Sequence, residues 1–569
     1  MKKSKIHYTP KRRTEMWCYM DDDCVEIKRK TTYKLDSMSS YIWENCDGRV
    51  TIAEIIKGLS EKCSTLDSNI EINVLKILES WKCNDLLIMN FDSLHAGSEY
   101  DEDCIYHIEA NIKPPLDILL LTAPSPSPLA HNIPQGNQME SLGIGYLSAF
   151  LNSHGFNAGV VDLWDKQLNP ESIRNFISRY NPKIVGISSM SENFENGIKI
   201  AEIIKNISND ITILFGGSHV SFEDESALLN HKSVDVIVRG EGEHTVLELT
   251  NFFMHNIGEL STINGVTYQK NNKIIRTQDR KFIHDLDSLP FPDRMLPNKE
   301  VAVGIQTSRG CPGKCIFCSS KELAGGKYRK RTAENVIFEI EELLNRGNKI
   351  IYFQDDTLTA DLKRLNEILD LIKKKNLNFK WTAFSRIDTL EKDPFIIKNM
   401  VNAGCIGLFF GIESGSQKML DVLKKNLTVE QILNVLTNVC TLVKNEGIRI
   451  DCSFIIGHPS ETHDTMLETF EFAKKLIKLG AMSFLSILCP FPGSSIFKEP
   501  DFYNLEIKDY DYSNYNLAIP VMDTKNLTAK EIRKYHYIYS KELRLLYKQH
   551  NMWKLIKQSN FHKDEEGLK

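Results

Sequence analysis

The sequence predicts an α/β chain in three parts: a small α+β winged-helix unit, a Rossmann-like parallel-sheet domain and a partial (β/α)6 barrel. Three observations predict it. From residue 116 to 256, short β-branched runs alternate with helix-length amphipathic stretches, the pattern of a parallel sheet covered on both faces. From 303 to 488 a second alternating series supplies six further strand-like runs. Residues 1–95 follow a different order: two short strand-like runs, three helical patterns and one more strand-like run.

Composition narrows the function classes. The 569 residues include 70 Lys+Arg against 75 Asp+Glu, a net charge of −5, with 42% hydrophobic and 25% charged residues. That balance excludes a wholly disordered or collagen-like chain and argues against a DNA-coating protein, which needs a basic surface. No apolar run approaches the ~20 residues of a membrane span. The basic start, MKKSKIHYTPKRRTE, lacks the apolar segment of a signal peptide, so the expected location is cytoplasmic. Thirteen cysteines, an odd count, argue against a closed disulfide framework. In a reducing compartment clustered cysteines read as metal ligands and scattered ones as buried small hydrophobes.

In the first unit, 16–20 and 24–29 read as strands around the Asp21-Asp22-Asp23 turn. Helices are expected at 37–46, opened by a serine cap, at 51–62, where Thr51 and Glu54 make a capping box, and at 69–83, where Ile70, Val74, Ile77, Leu78 and Trp81 share one face. Residues 85–90 follow as a wing strand, and Trp43 and Trp81 read as core aromatics. Residues 96–115 are expected to be a linker. The Rossmann-like domain, 116–260, has strands expected at 117–122, 158–162, 183–189, 211–217 and 234–240. Ligands of such folds bind beyond the carboxyl ends of the strands, where Gly143, Gly145, Gly216, Gly217, Gly240 and Gly242 gather. A connector, 261–300, with a hairpin around Asn271, leads to the barrel at 301–500. Barrel strands are expected at 303–306, 350–353, 379–384, 407–411, 448–456 and 484–488. Residues 501–569 form a helical extension with an amphipathic helix at 528–549.

The strongest chemical signal is Cys311-Pro-Gly-Lys-Cys315-Ile-Phe-Cys318, a C-x3-C-x2-C loop directly after the first barrel strand. Three thiolates on one short loop can hold three corners of a cubane iron–sulfur cluster and leave the fourth iron open. Zinc is the alternative, but a structural zinc site takes four protein ligands, and no second Cys or His pair follows at that spacing. Cys405, Cys440, Cys452 and Cys489 lie within the barrel; Cys452 and Cys489, on or beside strands, read most simply as core residues, with Cys489, close to the sixth strand's end, alternatively a hydrogen donor at the active site.

The segment TSRGCPGKCIFCSS resembles the radical S-adenosylmethionine (SAM) superfamily, and the resemblance covers 301–500. It implies a [4Fe–4S] cluster on Cys311, Cys315 and Cys318, with SAM chelated at the open iron and cleaved on one-electron reduction to a 5′-deoxyadenosyl radical. Other family elements stand at successive strand ends. Phe317 occupies the place where the family backbone touches adenine. Gln354-Asp355-Asp356-Thr357 replaces the common Gly-Gly-Glu that holds the methionine amino group. Ser385-Arg386 ends the third strand. Gly411-Ile412-Glu413-Ser414 resembles the ribose and carboxylate contact, through Glu413 and Ser414. Ile455-Ile456-Gly457, then His458, Pro459 and Glu461, resembles the adenine-binding region, although its first glycine is absent. Taken singly, such motifs read equally well as helix caps or strand-end turns; a barrel collects them in one pocket.

The domain at 116–260 resembles the cobalamin-binding domain fused to one radical SAM branch. The matching stretches are Leu142-Gly143-Ile144-Gly145-Tyr146-Leu147, Gly216-Gly217-Ser218-His219 and Arg239-Gly240-Glu241-Gly242-Glu243-His244-Thr245. Glycines there let backbone amides approach a flat macrocycle and its phosphate tail; a flavodoxin-like phosphate site or a linker domain would explain them equally well. The D-x-H-x-x-G motif is absent, so cobalamin is expected base-off without a protein histidine on cobalt, and His219 reads as a hydrogen-bonding loop residue. This branch implies C-methylation at an unactivated carbon through methylcobalamin, the hard chemistry lying in the cofactors; relatives also oxidise and cyclise. Residues 1–95 resemble the PqqD-like peptide-recognition element on Tyr33-Lys34-Leu35, Tyr41, Ile42, Trp43, Asp47-Gly48 and Thr51-Ile52-Ala53-Glu54. That resemblance implies a leader peptide added as a strand, hence a ribosomally synthesised precursor peptide as substrate; the radical SAM resemblance implies an electron donor such as flavodoxin or ferredoxin. A nucleic-acid-binding winged helix would need a concentrated basic helix, which is missing. Two other readings stand beside this one: the same enzyme acting on a small metabolite or lipid, and a non-catalytic iron–sulfur peptide-binding protein.

Overall fold

A computed structural model of the chain describes residues 114–126, 140–166, 168–294, 302–444, 446–550 and 552, and, nearer the N terminus, the strands and helices given below with Cys46. The chain divides into two compact units, one holding the N-terminal elements and one holding the bulk of the chain from Pro114 to Ala529.

In the N-terminal unit, strands Trp17–Asp21, Cys24–Lys28 and Thr32–Leu35 make an antiparallel sheet. Helices Ser37–Glu44, Ile52–Lys62 and Ile70–Cys83 follow, and Thr9–Arg12 pairs antiparallel with Leu87–Asn90. The helical spacing turns Ile52, Ile55 and Leu59, and likewise Ile70, Val74 and Leu78, into one core around Trp43. Trp43 and Trp81 meet edge to face at 5.4 Å, as core aromatics do. Thr9–Arg12 carries no apolar alternation and contains a proline, so only its partner strand reveals it. The Asp22-Asp23 part of the turn, the Thr51 cap, Asp47-Gly48 and most of the expected linker lie outside the described residues.

The larger unit begins with a seven-stranded sheet. In spatial order its strands are Lys273–Arg276, Val266–Lys270, Val236–Val238, Thr212–Gly216, Ile184–Ser188, Ile118–Thr122 and Ala158–Val161. The last five are parallel. Their order places the first strand between the second and third, as in flavodoxin-like sheets, and creates a switch point between Ile118–Thr122 and Ile184–Ser188. These strands are buried on both faces, which is why they read as unbroken apolar runs. The expected hairpin at Asn271 is present. Asn271 and Asn272 both take positive φ, 51° and 59°, as a two-residue turn between twisted strands requires. The hairpin extends the sheet, adding two antiparallel strands to the parallel five.

The second sheet is wholly parallel: Val303–Ile305, Ile350–Phe353, Lys380–Ser385, Cys405–Glu413, Arg449–Ile456 and Met482–Ile487, in chain order. Helices between them are capped by Thr332, Asp361, Thr428 and Thr462, each accepting a backbone N–H of the first turn. Cys405, Cys440, Cys452 and Cys489 are all buried in the fold. Beyond the sixth strand, Leu505–Ile507 pairs with Met522–Thr524. In the final helix, Ala529–Gln549, the Tyr539 ring stacks on Phe470 at 4.2 Å and the Tyr547 hydroxyl donates to the Ser483 carbonyl.

Arg294 joins the two sheets of this unit. Its guanidinium donates to Glu140 at 2.5 Å, to the Gly304 carbonyl at 2.6 Å and to Glu339, which also takes Arg331 at 2.5 Å. Charges this far from water are tolerated only as a paired set. Arg294→Met strips the shared cation from two buried carboxylates. The expected loss is about 3–5 kcal/mol, read as a lower urea midpoint; an unchanged midpoint would show the cluster contributes nothing.

Candidate active site

The cysteine loop is framed before it begins. Ser308–Arg309 pairs antiparallel with Arg329–Lys330, and Gly310 follows with φ +89°, where a side chain would collide with the Lys327 carbonyl. Behind the frame lies Asp355, buried and accepting from Thr307 N at 2.8 Å, Thr307 Oγ1 at 2.7 Å, Ser308 Oγ at 2.9 Å and Ser308 N. Arg364 braces the same threonine, donating to its carbonyl at 2.9 Å and its hydroxyl at 2.8 Å. Asp355 therefore anchors the approach to the loop. Its neighbour Asp356 is the one of the pair that faces open space, bonded by Ser320 and the Gly310 backbone.

Cys311, Cys315 and Cys318 are each half-buried. Burial pushes the thiols of Cys315 and Cys318 up, opposed at Cys315 by Lys425 and at Cys318 by Ser320. Among the described residues no three Cys, His, Asp or Glu side chains converge as one metal ion would require. Three separate corners of a cubane make no such demand, and the nearby cations Arg386 and Lys425 suit the negative charge of three thiolates. Phe317, partly buried, packs on the apolar cluster of Ile316, Leu423 and Leu488.

Other strand ends converge on the same side. Glu413 takes φ +72° at a register shift and accepts from Lys425 Nζ at 2.8 Å. Gly411 leaves the space into which that carboxylate folds back. Ser414 is fully buried and bonded to Thr469 at 2.8 Å, and Ser385 is bonded to Thr359 at 3.0 Å, so both hydroxyls are used inside the fold. After Ile456, Gly457 turns with φ +88°, and its N–H and that of His458, at 3.0 Å, donate to Glu461 Oε2. Glu461 Oε1 finds no hydrogen-bond partner among the described residues, and burial pushes this carboxyl up to about 8. Burial likewise pulls His458 down to about 4, leaving it neutral.

A cavity of about 490 Å³ opens at the carboxyl ends of the first sheet. From that sheet it is lined by Leu142, Gly143, Tyr146, Gly216, Gly217, Gly240, Glu241, Gly242 and Glu243; from the barrel, by Arg309, Gly310, Ser320, Gln354 and Asp356 among others. At Gly143 and Gly240 nothing stands within 4 Å of where a Cβ would sit, so a side chain at either would project into free space. Gly217, φ +106°, is required by the turn itself, since a Cβ would strike Ser189. Three expected contacts do not line the cavity. Gly145 lets its helix approach the Asp293 carbonyl, 2.6 Å from a would-be Cβ. Thr245 is buried, accepting from Arg280 at 2.6 Å. His219 is buried between Phe194 and Tyr512, bonded to Ser191 at 3.2 Å and pulled down to about 3 by burial.

The joint between the two walls went unread in the sequence. Arg309, two residues before Cys311, donates to Glu241 at 2.9 Å and Glu243 at 2.6 Å, and sits 5.4 Å from the Tyr146 ring centroid. Arg329 adds a second cation to Glu241 at 2.8 Å. Although burial pushes it up, the Glu241 carboxyl is held below the ordinary range by Arg309, with Arg329 adding to it. The TSRGC run contained Arg309, but its partners stand 66 and 68 residues away.

Family models match the three parts: one described as Coenzyme PQQ synthesis protein D (PqqD) over residues 25–87, one as B12 binding domain over 132–250 and one as Radical SAM superfamily over 305–473. An uncharacterized methyltransferase of Pyrococcus horikoshii is 33% identical over 427 residues, 74% of this chain and 90% of that protein. The chain belongs to the radical SAM enzymes that carry a cobalamin-binding domain. An anaerobic magnesium-protoporphyrin IX monomethyl ester cyclase of Rubrivivax gelatinosus is 27% identical over 404 residues, 68% of this chain and 71% of that one. The fold is shared with the radical SAM methyltransferase TsrM of Kitasatospora setae, solved with cobalamin and a [4Fe–4S] cluster, at TM-score 0.58 and 16% identity over 74% of this chain and 81% of that one. It is shared also with the cobalamin-dependent radical enzyme OxsB at TM-score 0.55 and 20% identity, over 77% and 62%. The enzyme's cofactors are thus a [4Fe–4S] cluster, SAM and cobalamin. Among the described residues no helix is long and apolar enough to cross a membrane.

Glu461 makes the loop after the fifth strand sensitive to pH. The folded enzyme keeps a proton that the unfolded chain, with an ordinary value of 4.5, releases. The associated stability is intact below about pH 4.5 and lost as pH rises through about 8. Glu461→Gln cannot ionise, so its unfolding free energy, measured in urea, is expected to fall less than that of the wild type between about pH 5 and pH 8.5. Equal slopes would show that Glu461 is not held protonated.

Proposed function

We propose that the enzyme methylates a ribosomally synthesised peptide at an unactivated carbon. The observation that carries this reading is the shared chamber: Gly310, at the threshold of the cysteine loop, and Asp356 line the same cavity as Gly143 and Gly240. Bound there, the cluster with SAM supplies a hydrogen-abstracting radical and cobalamin a transferable methyl group. The chain's own work is to hold and orient. Cys311, Cys315 and Cys318 ligate the cluster. Gln354, Asp356 and the Glu413–Lys425 pair take the amino-acid end of SAM, while the backbone at Phe317, Ile456 and Gly457 takes the adenine. Gly143, Gly216, Gly240 and Gly242 let backbone approach the corrin, and Leu142 and Tyr146 give it an apolar wall. Asp355, Ser385, Ser414, Gly145, Thr245 and His219 belong to the frame, their polar groups or close approaches being used inside the protein.

Methyl transfer is supported by the Pyrococcus relative and by TsrM, each described as a methyltransferase. The peptide is supported by the PqqD match over 25–87, in a unit whose small antiparallel sheet lies beside helices, the arrangement that binds a peptide by strand addition. We assign 1–95 to peptide recognition, 116–260 to cobalamin, 301–500 to the radical SAM barrel, and 96–115, 261–300 and 501–569 to linker, connector and extension. A second reading, a small-metabolite substrate, is favoured by the 27% identity to a magnesium-protoporphyrin IX monomethyl ester cyclase.

Two outcomes are expected. Cys315→Ala, reconstituted without oxygen, should lose SAM cleavage by at least about 100-fold, the upper end of what even loss of a ligand's supporting partner costs; undiminished cleavage would remove the cluster assignment. Full-length enzyme titrated with candidate leader peptides should bind by fluorescence anisotropy, whereas binding of a metalloporphyrin and of no peptide would favour the metabolite.

A further inference from the structure

One cation stands closer to the cysteine loop than structural support requires. Arg386 follows the third barrel strand, and its Nε and Nη2 bind the two oxygens of Asp388 at 2.9 and 2.8 Å. A bidentate pair fixes the plane of the guanidinium and leaves Nη1 to point at the Cys311 sulfur, 3.8 Å away. Asp388 offsets part of the guanidinium's charge, and being more exposed, 37% against 16% for Arg386, it leaves the Nη1 N–H as the group presented to the sulfur. The approach depends on a glycine. A Cβ at Gly313 would lie 2.8 Å from Arg386 Nη1 and 3.3 Å from the Cys311 sulfur, so a side chain there would press on the guanidinium that Asp388 holds in place. The Gly313 N–H donates to the same sulfur at 3.4 Å. Cys311 thus has two donors converging on it, one of them charged.

We propose that Arg386 and Gly313 form a donor pocket for the Cys311 sulfur that raises the reduction potential of the iron–sulfur cluster, making Arg386 a gate on electron entry. This rests on Cys311 being a cluster ligand. Hydrogen bonds to cluster sulfurs and nearby positive charge stabilise the reduced, more negative state. Arg386 acts through the cluster and touches no reacting atom, so it is a positioning residue.

The test is an anaerobic redox titration of full-length, reconstituted, SAM-free enzyme, followed by EPR. Arg386→Gln is expected to shift the reduction equilibrium about tenfold toward the oxidised form, about 59 mV more negative for one electron. Arg386→Lys should recover part of the shift, and Gly313→Ala should move in the same negative direction with the arginine still present. Arg386→Gln and Gly313→Ala proteins with wild-type iron and sulfide content and the wild-type midpoint would overturn the proposal. So would a shift seen only after SAM is added, which would place the guanidinium on SAM instead of on sulfur. If Arg386→Gln fails to hold a cluster, the midpoint of Gly313→Ala decides. If the wild type assembles no cluster, it is the cluster reading that fails.

Discussion

Arg309 cannot be withdrawn from water without anions around it, and that requirement holds the functional half of the molecule together. Its side chain is 14% exposed and stands two residues before Cys311. Burial works against its charge; Glu243 and Glu241 more than restore it. Glu241 lies in the glycine-rich turn after the fifth parallel strand and Glu243 opens the helix that follows, so the wall proposed for cobalamin and the loop proposed for the cluster are tied by the same ions. Arg329 repeats the arrangement, bridging Glu241 to the Ile283 carbonyl at 2.7 Å. A joint of this kind is directional. It sets the separation and orientation of two walls, whereas apolar packing alone would allow them to slide.

The cysteine loop is held from behind with comparable care. Asp355 gathers the two residues before Arg309, and Arg364 holds Asp355's threonine from the other side. None of these groups is free to bind a ligand, but each restricts where the sulfurs can lie. Radical chemistry depends on distances more than on acid–base groups, so rigid support around the first ligands is what the protein can contribute. The glycines serve both purposes. Gly310 and Gly217 close turns that no other residue could close, while Gly143 and Gly240 leave room that another residue would fill.

Much of this was legible in the sequence. The parallel strands are buried on both faces, and that burial writes itself as β-branched runs; the cysteine spacing and the strand-end motifs follow from a barrel that gathers its chemistry at one end. What was not legible depends on neighbours far away in the chain. Asp355 and Asp356 read as one motif, yet one is a buried anchor and the other faces the cavity, a distinction set by Thr307 and Ser308, more than forty positions away. Gly143 and Gly145 read as one glycine pair, yet Gly145 exists for the Asp293 carbonyl. Thr9–Arg12 became a strand only because Leu87–Asn90 was there to pair with it. Glu241 and Glu243 line the cavity, yet each also pairs with an arginine far away in the chain, which no local pattern announces.

The account stands or falls on two cofactors meeting in one chamber. Pulsed dipolar EPR on enzyme loaded with both, the cluster reduced and the cobalt in its paramagnetic Co(II) state, reads their separation directly. The structure predicts a dipolar coupling between the two spins that disappears when Gly240 is replaced by a bulky residue that fills the cavity. Full loading of both centres with two magnetically isolated spins would contradict it.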